Sequence, residues 1–166
     1  MPVEPPTAAG ERTGIGFDAH RFDPALPLRL GGLAVKGEPG LAGHSDGDAA
    51  LHAVIDALLG AAGLGDIGSL YPADDPRWQD ADSAELLRGA VDRLSDAGWH
   101  PSGIDLAIVA QRPSIAELRD EMVKRIAGLC GVDEAAVSVK GTTSDGLGFA
   151  GNEGIAAFAV AAIARA

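Results

Sequence analysis

Gly43-His44-Ser45-Asp46-Gly47-Asp48-Ala49-Ala50-Leu51-His52, running on to Asp56-Ala57-Leu58-Leu59-Gly60-Ala61-Ala62, sets the reading of the fold. Ser45 with Asp48 three residues on has the spacing of a capping box, in which side chains satisfy the orphan N–H groups of a first helical turn. Leu51, Ile55, Leu58 and Leu59 then recur at helical intervals. Gly63 is the expected stop, because glycine takes the left-handed conformation at no Cβ cost. A helix from Gly47 to about Ala62 follows.

Upstream, Met1–Arg12 carries Pro and Glu and reads as a disordered tail, leaving 13–166 as one domain. Two short strands are expected, Thr13–His20 and Leu28–Val35, separated by a Pro-containing turn and followed by a Gly-rich loop. Downstream, Gly65–Trp78 is punctuated by Gly, Pro and Asp and reads as a long loop, of the kind that is usually functional or disordered. Ser83–Ala97 fits a helix with Leu86, Leu87, Ala90, Val91 and Leu94 on one side. Ile104–Ala110 has the continuous apolar run of a buried strand. Ser114 and Glu117 repeat the capping-box spacing ahead of Ile115, Leu118, Met122 and Ile126. Val137–Lys140 is a short strand ending in the polar turn Gly141–Asp145. Glu153–Arg165 stays open between helix and buried strand. Strands alternating with helices give a single layered α/β domain.

A chain of 166 residues has room for one domain with a real core. With 46% hydrophobic but only 4% aromatic residues, that core must be built from Ala, Leu, Ile and Val. The 23 glycines have no period, which excludes a collagen-like chain. A net charge of −11 excludes binding to nucleic acid through phosphates, which needs basic stripes. The same charge would repel a phosphorylated substrate unless metal ions neutralised the site. Cys130 is the one cysteine, so no intrachain disulfide forms, and its apolar surroundings point to a buried structural thiol. A cytoplasmic setting is expected. The first ten residues lack a leader pattern, and the apolar run Gly154–Ala164 is too short to span a bilayer.

Asp18 and His20 alternate on the first strand and so point to one face. His52 lies in the helix on the side of Asp48 and Asp56, each four residues away. One carboxylate and two imidazoles suit zinc and leave a fourth position for substrate, and Asp48 or Asp56 is spaced to orient His52. Spacing alone leaves the alternative of ordinary surface or core histidines open. His44 and Ser45 stand at a helix start, where free N–H groups favour phosphate, although Ser45 also reads as a simple cap. The helix dipole by itself explains acids at Asp46 and Asp48. Thr142, Thr143 and Ser144 followed by Asp145 would hold diphosphate oxygens and Mg²⁺, or form a plain Ser/Thr turn with an Asx motif.

These residues carry a resemblance. Gly16-Phe17-Asp18-Ala19-His20, the run Gly43–His52, Asp56–Ala62 and Gly65-Asp66-Ile67-Gly68 resemble the family of 2-C-methyl-D-erythritol 2,4-cyclodiphosphate synthases. The similarity continues through Tyr71-Pro72, Asp82-Ser83, Ala110-Gln111 and Lys140–Thr143, and closes with Leu147-Gly148-Phe149. It implies an α/β (α+β layered) subunit with a mixed sheet packed on one side by helices. It also implies a homotrimer with sheets facing inward and active sites between neighbours. By matching position, Asp18, His20 and His52 would hold Zn²⁺, and Asp145 would hold Mg²⁺ or Mn²⁺ where the family often has Glu. His44 and Thr143 match residues assigned to transition-state stabilisation.

The methylerythritol phosphate would meet His44, Ser45, Asp66, Ile67, Gly68, Tyr71, Pro72, Asp74 and Asp75, with Asp18, His20 and Asp56 beside them. The cytidine diphosphate side would be built from Ala110, Pro113, Ser114, Ile115 and Ala116 and from Thr142, Thr143, Ser144, Asp145 and Phe149, one segment coming from the adjacent subunit. The implied reaction is attack of the substrate's own 2-phosphate oxygen on the β-phosphorus with release of CMP, so no protein nucleophile is required. Three positions depart from the family pattern. Gly151-Asn152-Glu153-Gly154 is shorter and lacks an arginine, Ser114 stands where many members have Lys, and Gly146 where some do. A metal-dependent phosphohydrolase and a non-catalytic trimeric binding module are the competing classes. The first usually wants a denser metal cluster, and no adjacent His-Asp pair occurs in this chain.

Overall fold

The computed structural model describes residues 10–148 and 152–166. Strand β1 (Glu11–Leu30) and strand β2 (Leu33–Leu41) form a hairpin turned by Gly31 and Gly32, whose φ values of 61° and 77° suit glycine. This corrects the expected pair of strands. The segment Leu28–Val35 straddles the hairpin turn, and Pro24 and Pro27 lie inside one long strand. They are tolerated there because β1 pairs with β2 alone beyond Arg21, and the register shifts on both sides of Pro27. The strand also begins at Glu11, inside the stretch read as a tail.

The open C-terminal segment is strand β5 (Gly154–Arg165), and it is the middle of a five-stranded sheet ordered β2-β1-β5-β3-β4. It runs antiparallel to β1, from Glu11 opposite Ala164 to Arg21 opposite Gly154. On its other side it is antiparallel to strand β3 (Trp99–Val109). Strand β4 (Val137–Thr142) lies parallel to β3 after a helical crossover. Alternation decides the strand reading. Ala157, Ala159, Ala161 and Ile163 are fully buried, whereas Phe158 and Val160 between them stand about half exposed.

Helices α1 (Ala49–Ala62), α3 (Ser83–Asp96) and α4 (Ile115–Cys130) cover one face of this sheet. Small residues let α1 settle close. A Cβ on Gly14 or Gly16 would collide with the backbone of Ala57 or Ala53. Within the expected long loop the chain forms a short helix α2 (Ile67–Leu70) and a 3-10 turn at Pro76–Trp78.

Neither expected capping box forms. Helix α1 starts at Ala49 rather than Gly47 because Gly47 has φ 73° and cannot continue a right-handed helix. Its cap is Asp48, fully buried, which accepts from Leu51 N–H at 3.0 Å. The same carboxylate accepts from Gly31 N–H at 2.9 Å and Gly32 N–H at 2.7 Å, tying the hairpin turn to the helix start. Ser114 precedes α4 without a side-chain hydrogen bond. Gly63 does end α1 in the left-handed conformation. Cys130 is buried, and burial pushes its thiol up to about 12, which makes it inert as a nucleophile at neutral pH.

The other face of the sheet carries exposed apolar side chains: Ile15 at 73% exposure, with Phe17, Phe158 and Val160. The Phe17 and Phe158 rings touch with centroids 4.8 Å apart. Among the described residues, no helix is long and apolar enough to cross a membrane.

Candidate functional site

Because α1 lies across β1, even-numbered residues of β1 face it, and Asp18 and His20 meet His52 there. Asp18 Oδ2 stands 2.7 Å from His20 Nε2 and 2.9 Å from His52 Nδ1, and the two imidazole nitrogens are 3.2 Å apart. Nitrogen and oxygen ligands about 2.0–2.2 Å from a tetrahedral zinc would stand roughly 3.3–3.5 Å from one another, so the trio needs only slight widening to hold the ion.

The hydrogen bonds behind the trio decide which lone pairs it presents. His20 Nδ1 is 2.6 Å from the Ala42 carbonyl, which can only accept, so Nδ1 carries a hydrogen and, in the neutral ring, Nε2 is bare. His52 Nε2 faces two hydroxyls, Ser83 Oγ at 2.8 Å and Ser45 Oγ at 3.0 Å. The bare Nε2 of a neutral His20 therefore faces the Asp18 carboxylate, and a cation or a shared proton must sit between them. For Asp18, burial alone would raise the carboxyl, but its close contacts with the His20 and His52 imidazoles outweigh it and hold the group well below the usual range. Burial would lower His20, yet its bond to Asp18 and the adjacent negative charge raise it. The donor set fits a metal ion.

Asp48 and Asp56 do not orient His52, contrary to the helical spacing. Asp48 is spent on the hairpin turn and the helix cap. Asp56 accepts from Ile67 N–H at 2.7 Å, and its carboxyl is raised by burial. Spacing along one helix could not foresee partners supplied by other segments.

A cavity of about 210 Å³ opens beside the trio, walled by Asp18, His20, His44, Ser45, Ile67, Gly68 and Tyr71. Trp78, Leu86 and Ala73 complete it. Ala73 falls within the expected Tyr71–Asp75 contact segment, but sequence reasoning missed the other two: Leu86 is indistinguishable from core on a helical stripe, and Trp78 was passed over in a loop. Tyr71 is fixed by donating to the Leu86 carbonyl at 2.7 Å and by an edge-on contact with Trp78. Asp66, Pro72, Asp74 and Asp75 do not line this cavity. Asp66 caps α2 through Ser69, and Asp75 pairs with Arg77 at 2.5 Å; both carboxyls are lowered by those bonds.

A second cavity of about 290 Å³ lies between the ends of β3 and β4 and the start of α4. Ala110, Pro113, Ser114, Ile115, Ala116, Thr142 and Thr143 line it, with Gln111 from the expected Ala110–Ala116 segment and with Arg119 and Gly141, which were not among the expected site residues. Thr142 Oγ1 accepts from Ser144 N–H at 3.1 Å and Thr143 Oγ1 from Asp145 N–H at 3.3 Å. Ser144 and Asp145 both hold positive φ, 49° and 55°, which turns the loop sharply. Neither lines the cavity. Phe149 lies outside the described residues. β1 and β4 are three strand positions apart, about 14 Å, so one chain keeps Asp145 away from the Asp18 trio.

Known proteins share this fold and much of this sequence. The chain is 51% identical over 152 residues to the 2-C-methyl-D-erythritol 2,4-cyclodiphosphate synthase of Symbiobacterium thermophilum, covering 91% of this chain and 97% of that one. The structure of the bifunctional IspDF from Campylobacter jejuni superposes with a TM-score of 0.89 at 41% identity, covering 94% of this chain but 42% of that longer one. A CDP-bound 2C-methyl-D-erythritol-2,4-cyclodiphosphate synthase superposes with a TM-score of 0.84 at 38% identity, over 92% of this chain and 99% of that one. The YgbB family model matches residues 11–164, from the first residue of β1 to the penultimate residue of β5, and on that span the chain belongs to the YgbB family.

Proposed function

We infer that this chain closes 4-diphosphocytidyl-2-C-methyl-D-erythritol 2-phosphate into 2-C-methyl-D-erythritol 2,4-cyclodiphosphate and releases CMP. The carrying observation is that the Asp18–His20–His52 trio opens into a cavity in a chain 51% identical to a synthase of that name. In the step, an oxygen of the 2-phosphate bonds to the β-phosphorus. The bond from that phosphorus to the α–β bridging oxygen breaks, and the electron pair leaves with CMP.

The chain's own groups position and neutralise. Asp18, His20 and His52 would hold zinc, and Asp145 magnesium. Bound there, the ions supply Lewis-acid stabilisation of diphosphate charge in an otherwise acidic protein. His44 and Ser45 are on the cavity wall, where the His44 imidazole and the Ser45 hydroxyl hydrogen can meet a phosphate. Thr142 and Thr143 each use an oxygen lone pair on a turn amide, which leaves their O–H hydrogens to donate to diphosphate oxygens. The 290 Å³ cavity is sized for the pyrimidine nucleoside, with Ser114 offering a hydroxyl at its edge. No nucleophilic side chain is asked for, in keeping with the inert Cys130.

The assembly we infer is a homotrimer. Ile15, Phe17, Phe158 and Val160 form an apolar face too large to leave wet, and covering it with neighbouring copies would bring the separated cavities of adjacent subunits together. A cytoplasmic setting accords with the reduced, buried Cys130.

Phosphorus NMR of the substrate with protein, Zn²⁺ and Mg²⁺ tests the reading. A cyclic diphosphate appearing with CMP, and abolished by chelator, is the expected result. CMP with an open-chain product would make the chain a hydrolase, and no change with confirmed metal loading would make it a binding module.

A further inference from the structure

We propose that Asp46, acting through Ser83, is a positioning residue for His52: the pair fixes the Nε2–H tautomer and thereby aims a bare Nδ1 at the metal site. The inference rests on reading Asp18, His20 and His52 as metal ligands. Asp46 precedes α1 and Ser83 opens α3, 37 residues later. Asp46 Oδ2 accepts from Ser83 N–H at 2.9 Å, and Asp46 Oδ1 accepts from Asp48 N–H at 3.1 Å. Asp46 Oδ1 also bonds Ser83 Oγ.

An ionised carboxylate has no hydrogen to give, so the Ser83 hydroxyl must donate to Asp46. Its oxygen then has only lone pairs left for His52 Nε2, 2.8 Å away. Nε2 must therefore carry the hydrogen, and since a neutral imidazole has one N–H, Nδ1 is bare. That nitrogen is the one 2.9 Å from Asp18 Oδ2. Ser45 also accepts from Nε2, but it is only half-buried on the cavity wall and its hydroxyl can turn. Ser83 is fully buried, with its hydrogen committed. The carboxylate at the far end of the relay also strengthens Nδ1 as a ligand, as outer partners of metal-bound histidines do.

The test has a readout that needs neither metal nor turnover. Nitrogen–proton correlation spectra of the metal-free protein, taken at alkaline pH where the rings are neutral, report each histidine tautomer. Wild-type His52 should be Nε2–H; a predominant Nδ1–H form there overturns the proposal without any variant. Ser83→Ala should mix the tautomers and weaken Zn²⁺ binding about 10- to 100-fold in competition with a chromophoric chelator. Asp46→Asn should do the same, because an amide can donate to Ser83 Oγ and release that hydroxyl to donate to Nε2. Ser45→Ala should leave the tautomer unchanged. Variants that fold with an unchanged tautomer and unchanged Zn²⁺ affinity sink the idea. Wild-type protein showing Nε2–H but taking up no Zn²⁺ would overturn the ligand reading and leave the tautomer assignment standing.

Discussion

Gly16 of β1 presses so closely on Ala53 of α1 that a methyl group on the glycine would occupy the space of the Ala53 carbonyl oxygen and stand 2.8 Å from the Ala57 nitrogen. Backbone cannot swing aside as a side chain can. Gly16→Ala should therefore cost about 3 kcal/mol in urea unfolding, at the upper end of overpacking penalties. It should also weaken zinc binding, because Asp18 two residues on would move relative to His52. Gly128, exposed inside α4 with open space around its Cα, is the counterpart: Gly128→Ala should gain about 0.5–1 kcal/mol. Equal stability of the two variants would contradict the close packing.

Asp48 is a second structural pin. Asp48→Ala leaves the N–H groups of Gly31, Gly32 and Leu51 without their acceptor, at about 1–3 kcal/mol for each that stays dry. A loss of about 3 kcal/mol or more in chemical denaturation is expected. Ser114→Ala, at a cap position with no side-chain bond, should change stability by less than about 0.5 kcal/mol.

His52→Ala removes an inferred metal ligand and leaves the apolar core of α1, Leu51, Ile55, Leu58 and Leu59, intact. It should bring turnover to background and abolish stoichiometric zinc, with the far-ultraviolet circular dichroism of the parent. Activity surviving with normal zinc content would mean that the ligands are assigned wrongly.

The trio also predicts how pH acts. Asp18 is depressed below 3.8, so its contribution to stability is present above that value and fades as pH falls through the depressed one. His20 is raised above 6.5, so its contribution is full below 6.5 and lost as pH rises through the raised value. Metal-free protein should keep the pair's stabilisation between those limits. Zinc must displace the His20 proton, so the rise in Tm on adding zinc should grow from mildly acidic to alkaline pH. A zinc increment that does not vary with pH would disprove the coupling.

The apolar sheet face opposite the helices yields a test of assembly. Phe158→Asp puts a charge beside Phe17 and should shift sedimentation from the inferred trimer to monomer. Turnover should fall while zinc binding to the Asp18 trio persists. An unchanged sedimentation coefficient would remove this face from the interface.

Much of this molecule is legible in its sequence, for reasons particular residues make plain. Leu51, Ile55, Leu58 and Leu59 identify α1 because one buried stripe needs helical spacing. Asp18 and His20 share a face because strands alternate. The hairpin at Gly31-Gly32 was lost because Pro24 and Pro27 gave a louder turn signal, which edge pairing overrides. Ser45 looked like the cap because only tertiary structure reveals that Asp48 has three N–H groups within reach. Ser83 touches His52 across 31 residues, a separation at which no local pattern speaks. The last strand stayed open because Ala and Val fill helix and buried strand alike. Its pairing partners decide it.

That strand has a consequence for how the protein is made. β5 sits between β1 and β3, yet it is translated after every other strand. Until it leaves the ribosome, the β1–β2 hairpin and the β3–α4–β4 unit have no strand between them, and the inner edges of both stay unpaired. Nascent chains arrested before Gly154 should therefore be prime clients for chaperones, and the sheet should close only once synthesis has passed that point.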